Sequence, residues 1–286
     1  MSVQYQKRVV AFIDILGFKQ MIAESKRDTS KIDLLYDVLR YLKTWEIPKE
    51  WNSNIVAVEE DAQKRGLEKF KIEGSTCCTC FSDSIVISVL YKDEQLNETV
   101  STLISNIALI GTKLIKAGIL VRGGITIGDL LHTENGIIMG QALIDAYTIE
   151  QSAKHPRIIL SDTLLKELNY PLFSKQSRYP YHQYLKRFND GCVGFHQFIY
   201  YQVMQSEAAT AYISGYDLDI IRKCIIVGLD SSFEKIDIFM KYKWLAEEYN
   251  ELIILTEDKK KKIYDVNEVD NSHNIHYESI DKIRNR

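Results

Sequence analysis

The chain has no apolar run approaching the roughly 20 residues that a membrane-spanning helix needs. Its N-terminus, Met1-Ser2-Val3-Gln4-Tyr5, enters a strand pattern almost at once, without the layout of a secretory signal. Together these absences predict a cytoplasmic protein with no membrane partner. An excess of either charge is missing too. The 36 Lys and Arg stand against 39 Asp and Glu, and a net charge of −3 gives no general reason to expect a nucleic-acid partner. The run Lys259-Lys260-Lys261-Lys262 is flanked by Glu257, Asp258 and Asp265 and reads as a solvated face.

Cysteine is scarce and odd in number, at five. Cys77, Cys78 and Cys80 crowd one predicted strand, where alternate residues face opposite sides. Cys78 and Cys80 therefore share a face and Cys77 does not, which is poor geometry for one zinc site. Cys192 and Cys224 are distant and have no Cys-x-x-Cys neighbour, so all five read as reduced, mostly buried small residues. The histidines do not cluster: His132, His155, His182 and His196 stand alone, and His273 with His276 falls in a polar tail.

What the chain does have is two acidic residues, each at the lip of an apolar run. Asp14 lies in Val9-Val10-Ala11-Phe12-Ile13-Asp14-Ile15-Leu16-Gly17-Phe18, and Asp83 opens Asp83-Ser84-Ile85-Val86-Ile87. A carboxylate ending a buried strand is costly to desolvate unless its charge is compensated, and two that converge suit a divalent cation. Either alone is as readily a turn former or helix cap. Together they suggest two-metal phosphoryl transfer. Gly17 precedes the helix-periodic Met21 and Ile22, and the open N–H groups of such a turn favour phosphate.

The order of elements is legible. A strand over 8–16 leads to a helix over 17–25 and a second helix capped at Thr29 or Ser30, with Ile32, Leu35, Tyr36, Leu39 and Leu42 apolar. Residues 45–69 are polar, with a short helix expected near 56–63. Strands over 70–80 and 84–91 precede a long amphipathic helix bearing Leu96, Val100, Leu103, Ile104, Ile107 and Leu114 on one stripe. A strand over 119–127 enters a hairpin turning at Asn135-Gly136. A helix over 140–154, a strand over 157–160 and a helix over 162–168 after Ser161 follow. This βααββαββαβ order predicts an α+β ferredoxin-like palm with helices on one sheet face, as a domain spanning 1–168. Residues 169–286 form a mainly helical extension: a surface excursion over 170–190, an edge strand within 194–204, helices over 217–227 and 232–252, and a frayed tail from 271.

At this point the motifs resemble a known family. Phe12-x-Asp14-x-x-Gly17-Phe18, Phe81-Ser82-Asp83-Ser84, Arg122-Gly123-Gly124-Ile125-Thr126-Ile127-Gly128, and Gly136-x-x-x-Gly140-x-Ala142-x-x-x-Ala146 followed by Glu150 and Ala153 resemble a class III nucleotidyl cyclase homology domain. They are most similar to the pyrimidine cyclases of bacterial anti-phage Pycsar systems, over roughly residues 8–168. The resemblance implies two Mg²⁺ or Mn²⁺ ions between Asp14 and Asp83, with the Ile15 carbonyl completing one shell. It implies phosphate contacts at Gly17, Phe18 and Lys19, a nucleoside triphosphate substrate and a 3′,5′-cyclic product for a separate effector. It also implies a homodimer in which one chain's aspartates act with residues 122–148 of the other.

Departures matter as much. Purine cyclases of this family usually carry Lys or Glu four residues before the second metal aspartate, where this chain has Thr79. At the positions of their transition-state Asn and Arg it has Ile144 and Thr148. Substitute cations are Arg122, Lys113, Lys154 and Arg157, although the last two flank a helix end where a cation also meets the dipole. Glu150 reads as a solvated or helix-pairing residue. Three classes stay open: a pyrimidine cyclase making cUMP or cCMP, a purine cyclase or related palm enzyme, and an inactive nucleotide sensor.

Overall fold

The computed structural model describes residues 4–44, 76–170, 184–199 and 215–263, with the backbone only at 43–44, 215–217 and 253–263. The predicted insertion at 45–69, the start of the strand over 70–80, most of the 170–190 excursion, His182, the end of the 194–204 strand and the polar tail lie outside the described residues.

The central strand is β1 (Gln6–Leu16). Gly17 turns the chain into α1 (Phe18–Glu24), and α2 (Ser30–Thr44) follows. The Thr29 carbonyl accepts the first bond of α2 from the Asp33 N–H. Strands β2 (Thr76–Phe81) and β3 (Ser84–Leu90) form a hairpin, α3 spans Leu96–Lys116, and β4 (Leu120–His132) returns along the sheet. β1 pairs antiparallel with β3, from Arg8 opposite Leu90 to Asp14 opposite Ser84, and with β4, from Gln6 opposite Leu130 to Leu16 opposite Leu120. The order β2-β3-β1-β4, with helical crossovers joining β1 to β2 and β3 to β4, is the interleaved α+β ferredoxin-like palm.

Beyond β4 come β5 (Ile138–Met139), α4 (Gln141–Ser152), β6 (Arg157–Leu160) and α5 (Asp162–Glu167). The Ser161 Oγ accepts from the Leu164 N–H as the cap of α5. The sheet does not stop at residue 168. β6 runs parallel to β4 and pairs with β8 (Val193–His196), outside which lies β7 (Lys186–Arg187). The strand expected at the edge is thus an inner one. Two helices, α6 (Gly215–Ser231) and α7 (Ile236–Ile263), close the described chain.

Alternation along β1 sorts the two faces. Val9, Ala11, Ile13 and Ile15 join one core with Leu35, Val38 and Leu42 of α2 and the buried stripe of α3. The expectation that helices cover one face only is corrected on the other. Val10 and Val86 pack there with Leu130, Ala142 and Ala146, so α4 lies across the opposite face. A third cluster joins Ile115, Leu120 and Phe198 to Leu218, Ile221, Ile225 and Leu245 of α6 and α7, with Leu16 packed against it. The C-terminal hairpin is thereby seated at the end of the sheet where β1 finishes. Gly228 makes the crossing of its helices possible, since a Cβ there would meet the Tyr242 ring at 2.1 Å.

Candidate active site

Asp14 points to the α4 face, like Phe12 and Leu16, two residues before the chain leaves the sheet. Gly17 makes that exit with φ of +77° and has open space around it, so the backbone conformation rather than crowding calls for glycine. Asp83 sits in the two-residue turn of the β2–β3 hairpin, where Ser82 takes φ of +54°. The Ile15 N–H donates to the Asp83 carbonyl at 2.7 Å, which ties the turn to the end of β1. Asp14 stands opposite Ser84 in the ladder, so both aspartates share one end of one strand pair.

Their charge is undercompensated. Burial raises Asp14 above the usual carboxylate range, Arg122 opposes this, Asp83 adds to it, and Lys241 of α7 opposes it more weakly. The Arg122 Nη2 lies 3.6 Å from Asp14 Oδ2, but its Nε donates to Glu150 Oε1 at 2.5 Å. Glu150 is fully buried and also accepts from Gln151 Nε2 at 2.6 Å; burial raises its pKa. Two carboxylates thus share one guanidinium, with Asp83 adding negative charge beside Asp14. Removing water from such a set is unfavourable without added positive charge, and hard oxygen donors of this kind suit Mg²⁺ or Mn²⁺. Among the described residues no three His, Cys, Asp or Glu side chains converge as a complete ligand set. A metal held by Asp14 and Asp83 would therefore complete its shell with backbone, water or substrate oxygen.

Glu150 is the site residue that sequence reasoning missed. Ala142, Ala146 and Glu150 recur every four residues and form the buried stripe of α4. A Cβ on Gly124 would lie 2.6 Å from the Ala146 carbonyl and 2.8 Å from the Glu150 nitrogen, and one on Gly128 would lie 3.2 Å from Ala142 Cβ. The glycines of β4 and the alanines of α4 let helix and sheet approach until Glu150 meets Arg122. The small-residue spacing was the available signal.

The other expected residues separate. Arg122 stands beside the Asp14 of its own chain. Phe18 packs against the main core, while Gly17 and Lys19 are exposed at the turn. Lys154 is exposed past the end of α4 with φ of +57°. Arg157 does not face the site. It is buried, its Nη1 and Nη2 donate to the two oxygens of Asp190, its Nε donates to the Ala153 carbonyl, and its guanidinium lies 4.6 Å from the Phe188 ring centroid. That bidentate contact holds Asp190 down at about 2. Ile144 and Thr148 are exposed on α4, and Thr148 Oγ1 donates to the Ile144 carbonyl.

Thr79 ends a polar chain on the α4 face. The Arg8 Nη1 donates to Ser88 Oγ at 3.1 Å, Ser88 Oγ meets His132 Nδ1 at 2.8 Å, and His132 Nε2 meets Thr79 Oγ1 at 2.8 Å. Burial, then the Arg8 charge, pushes His132 down to about 4, so the ring is neutral near pH 7. Arginine only donates, so the tautomer with its proton on Nε2 gives the buried Ser88 hydroxyl an acceptor at Nδ1, and that tautomer is the one assigned to the ring. In that tautomer Thr79 Oγ1 accepts from the Nε2–H. Its own hydrogen is left to donate outward from a half-exposed position beneath Gly136.

No family model and no curated protein sequence matches the chain. Solved structures similar to it are nucleotide cyclase domains. The adenylyl cyclase CyaB from P. aeruginosa is 16% identical, with 59% of this chain and 83% of that one covered and a TM-score of 0.36. An adenylate/guanylate cyclase/hydrolase from Silicibacter pomeroyi is 14% identical, covering 67% and 95%, with a TM-score of 0.34. A dimeric guanylyl cyclase domain of the RhoGC fusion protein from the fungus Blastocladiella emersonii is 14% identical, covering 67% and 95%, with a TM-score of 0.35. Likenesses this distant assign no activity to the chain; that rests on its own residues.

Proposed function

We propose that this chain is a nucleotide cyclase that converts a pyrimidine nucleoside triphosphate, UTP before CTP, into its 3′,5′-cyclic monophosphate and pyrophosphate. The observation that carries the reading is the pairing of Asp14 and Asp83 at one strand end, tied by the Ile15–Asp83 hydrogen bond and short of positive charge. In the reaction the ribose 3′ oxygen bonds to the α-phosphorus while the bond from that phosphorus to the bridging oxygen breaks. Pyrophosphate departs with the electron pair, and the 3′ proton passes to water. Two Mg²⁺ or Mn²⁺ ions held by Asp14, Asp83 and the Ile15 carbonyl would supply a more acidic 3′-hydroxyl and neutralise charge on the leaving group. Arg122, fixed by Glu150, holds the Asp14 carboxylate in place and limits its repulsion from Asp83. Gly17 and Lys19 at the turn contact the phosphates.

The base preference is supported by Thr79. An outward hydroxyl donor fits a carbonyl acceptor, as at position 4 of uracil, and mismatches the amino group that cytosine carries there. The motif resemblance to Pycsar cyclases supports a messenger role in anti-phage defence, read by a separate effector. A homodimer is supported by Ile137, Met139, Ile144 and Tyr147, four large apolar residues, each about half exposed, on the β4–β5 hairpin and α4. Among the described residues no helix is long and apolar enough to cross a membrane.

Incubation with each of the four radiolabelled nucleoside triphosphates and Mn²⁺ tests the reading. The expected products are cUMP and pyrophosphate. Equal turnover of ATP would overturn the pyrimidine assignment. Binding of triphosphates without turnover would favour the inactive sensor, the reading to which exposed Ile144 and Thr148 belong.

A further inference from the structure

A cavity of about 550 Å³ opens between α1, the α3–β4 turn and the C-terminal hairpin. Leu16 and Gly17 form part of its wall, immediately after Asp14 and Ile15, so it begins where the paired carboxylates end. The opposite wall belongs to α6 and α7. Three lysines, Lys31, Lys223 and Lys241, line it against one glutamate, Glu24. This is a local excess of positive charge in a chain whose net charge is −3.

The three lysines are not equally committed. Lys31 Nζ lies 3.8 Å from Glu24 Oε2, and Lys223 Nζ lies 2.8 Å from Asp219 Oδ2. Asp219 also pairs with Arg222 at 2.5 Å, so it compensates Lys223 only in part. Lys241 makes no hydrogen bond or ion pair among the described residues. Lys241 is partly exposed and lines an open cavity, where a cation with no carboxylate partner suits an anionic ligand. Its field reaches Asp14, which places the cation and the carboxylates in one electrostatic neighbourhood.

We propose that this cavity is a polyphosphate site: it receives the β- and γ-phosphates of the nucleotide whose α-phosphate lies at Asp14 and Asp83, with Lys241 as their principal cation and Lys223 as a second. The inference rests on the cyclase reading and extends it to the C-terminal hairpin. Seated on Leu16 and Leu120, that hairpin becomes a wall of the substrate site. It also supplies positive charge from outside the positions occupied by Ile144 and Thr148.

Inorganic tripolyphosphate with Mn²⁺ is the probe, and UMP, which lacks the distal phosphates, is the control. Calorimetric titration should show tripolyphosphate binding weakened at least tenfold in Lys241→Met and restored in Lys241→Arg, with UMP binding unchanged. Lys223→Met should give a smaller loss. A readout independent of turnover is Cys224, which lines the cavity. Tripolyphosphate should slow its alkylation, followed by peptide mapping, in the wild type but not in Lys241→Met. Wild-type affinity for tripolyphosphate in Lys241→Met, or unchanged alkylation of Cys224 with the probe bound, would overturn the proposal. If Asp14→Asn abolishes turnover while Lys241→Met binds normally, this inference fails and the cyclase reading stands. If no triphosphate is cyclised yet tripolyphosphate still protects Cys224 through Lys241, the polyphosphate site stands and the cyclase reading fails.

Discussion

The two ends of β1, on the same face of the sheet, solve the problem of buried charge in opposite ways. At the Arg8 end one cation meets neutral partners, Gln6, Ser88 and the His132 ring beyond, each with its hydrogen-bonding capacity directed along the chain. At the Asp14 end two carboxylates, Asp14 and Glu150, share the Arg122 guanidinium, and Asp83 adds its charge to Asp14. The first arrangement runs as a hydrogen-bonded chain from Arg8 to Thr79, although the buried Arg8 Nε has no hydrogen-bond partner among the described residues. The second leaves negative charge in excess, where burial disfavours the charged form of both Asp14 and Glu150. The first spreads one charge over neutral hydrogen-bond partners, whereas the second crowds like charges together, the arrangement that singles out a candidate site.

The strongest way to break this contrast is to neutralise the acidic end. Asp14→Asn and Asp83→Asn should each lower cyclase kcat/KM by at least about 10³-fold, or about 4 kcal/mol in transition-state binding. The melting temperature should move by less than about 2 °C, because the charge removed from Asp14 is one that burial already disfavours. Near wild-type turnover by either variant would remove the two-aspartate site.

Next in size is the seat of α4. Gly124→Ala forces a methyl group against helix backbone at 2.6–2.8 Å, so the helix must lift, at a cost of about 1–3 kcal/mol. Since Glu150 rides on that helix, activity should fall with stability. A variant with full stability and full activity would show that the close approach does not position Glu150.

The two ends should also respond oppositely to acid. The folded-state pKa of His132, about 4 against an ordinary 6.5, means that the unfolded chain binds more protons between those values. Its contribution is present above pH 6.5 and is lost as pH falls toward 4. Glu150 is raised from 4.5, so the folded chain holds the proton longer, and stability falls as pH rises from about 4.5 through the raised value. Urea midpoints from pH 4.5 to 6.5 should therefore rise less steeply with pH in His132→Gln than in the wild type, and more steeply in Glu150→Gln. Changes of the same sign would end the contrast.

Much of the fold is legible in the amino-acid sequence. Asp14 and Asp83 stand out as acidic residues at the lip of an apolar run, near the end of one and before the start of the other, and the Ser161 cap and the α3 stripe follow from local pattern. Glu150 and Arg157 were misjudged for one reason: their roles depend on what packs against them. A glutamate on a helix reads as solvated until Gly124 lets that helix settle, and an arginine beside a helix end reads as available until Asp190, 33 positions later, claims it. β8, only four residues long, carries too little periodicity to announce that the sheet continues. The opposite-face packing of α4 was hidden in its alanines, which look neutral in a hydrophobicity pattern and matter through their size.

A subtler change addresses the specificity end. Thr79→Val removes the outward donor while keeping the shape, so preference for UTP over CTP should shrink by about tenfold, or about 1.4 kcal/mol, with little change in total turnover. Nitrogen NMR of the His132 ring should show the proton on Nε2 in both proteins. A proton on Nδ1 would reverse the polarity of the chain and remove the reason for expecting a carbonyl reader.

The smallest expected effect concerns strain at the acidic end. Ser82 holds φ of +54° at the first position of the hairpin turn, where residues with a Cβ lose about 1–2 kcal/mol. Glycine relieves that cost but gives back about 0.5–1 kcal/mol in chain entropy, so Ser82→Gly should stabilise the fold by about 0.5 kcal/mol. Asn169, with φ of +48° just beyond α5, offers the matched control away from the site. Asparagine tolerates this conformation better than serine, so Asn169→Gly should gain less. The informative difference is in turnover. Ser82 is covalently next to Asp83, and loosening the turn widens the positions that carboxylate can sample, so Ser82→Gly should lower kcat a few-fold despite its added stability, while Asn169→Gly leaves kcat unchanged. Equal turnover in both variants would mean that the Ile15–Asp83 hydrogen bond alone holds the aspartate in place and that the left-handed serine is incidental to the chemistry.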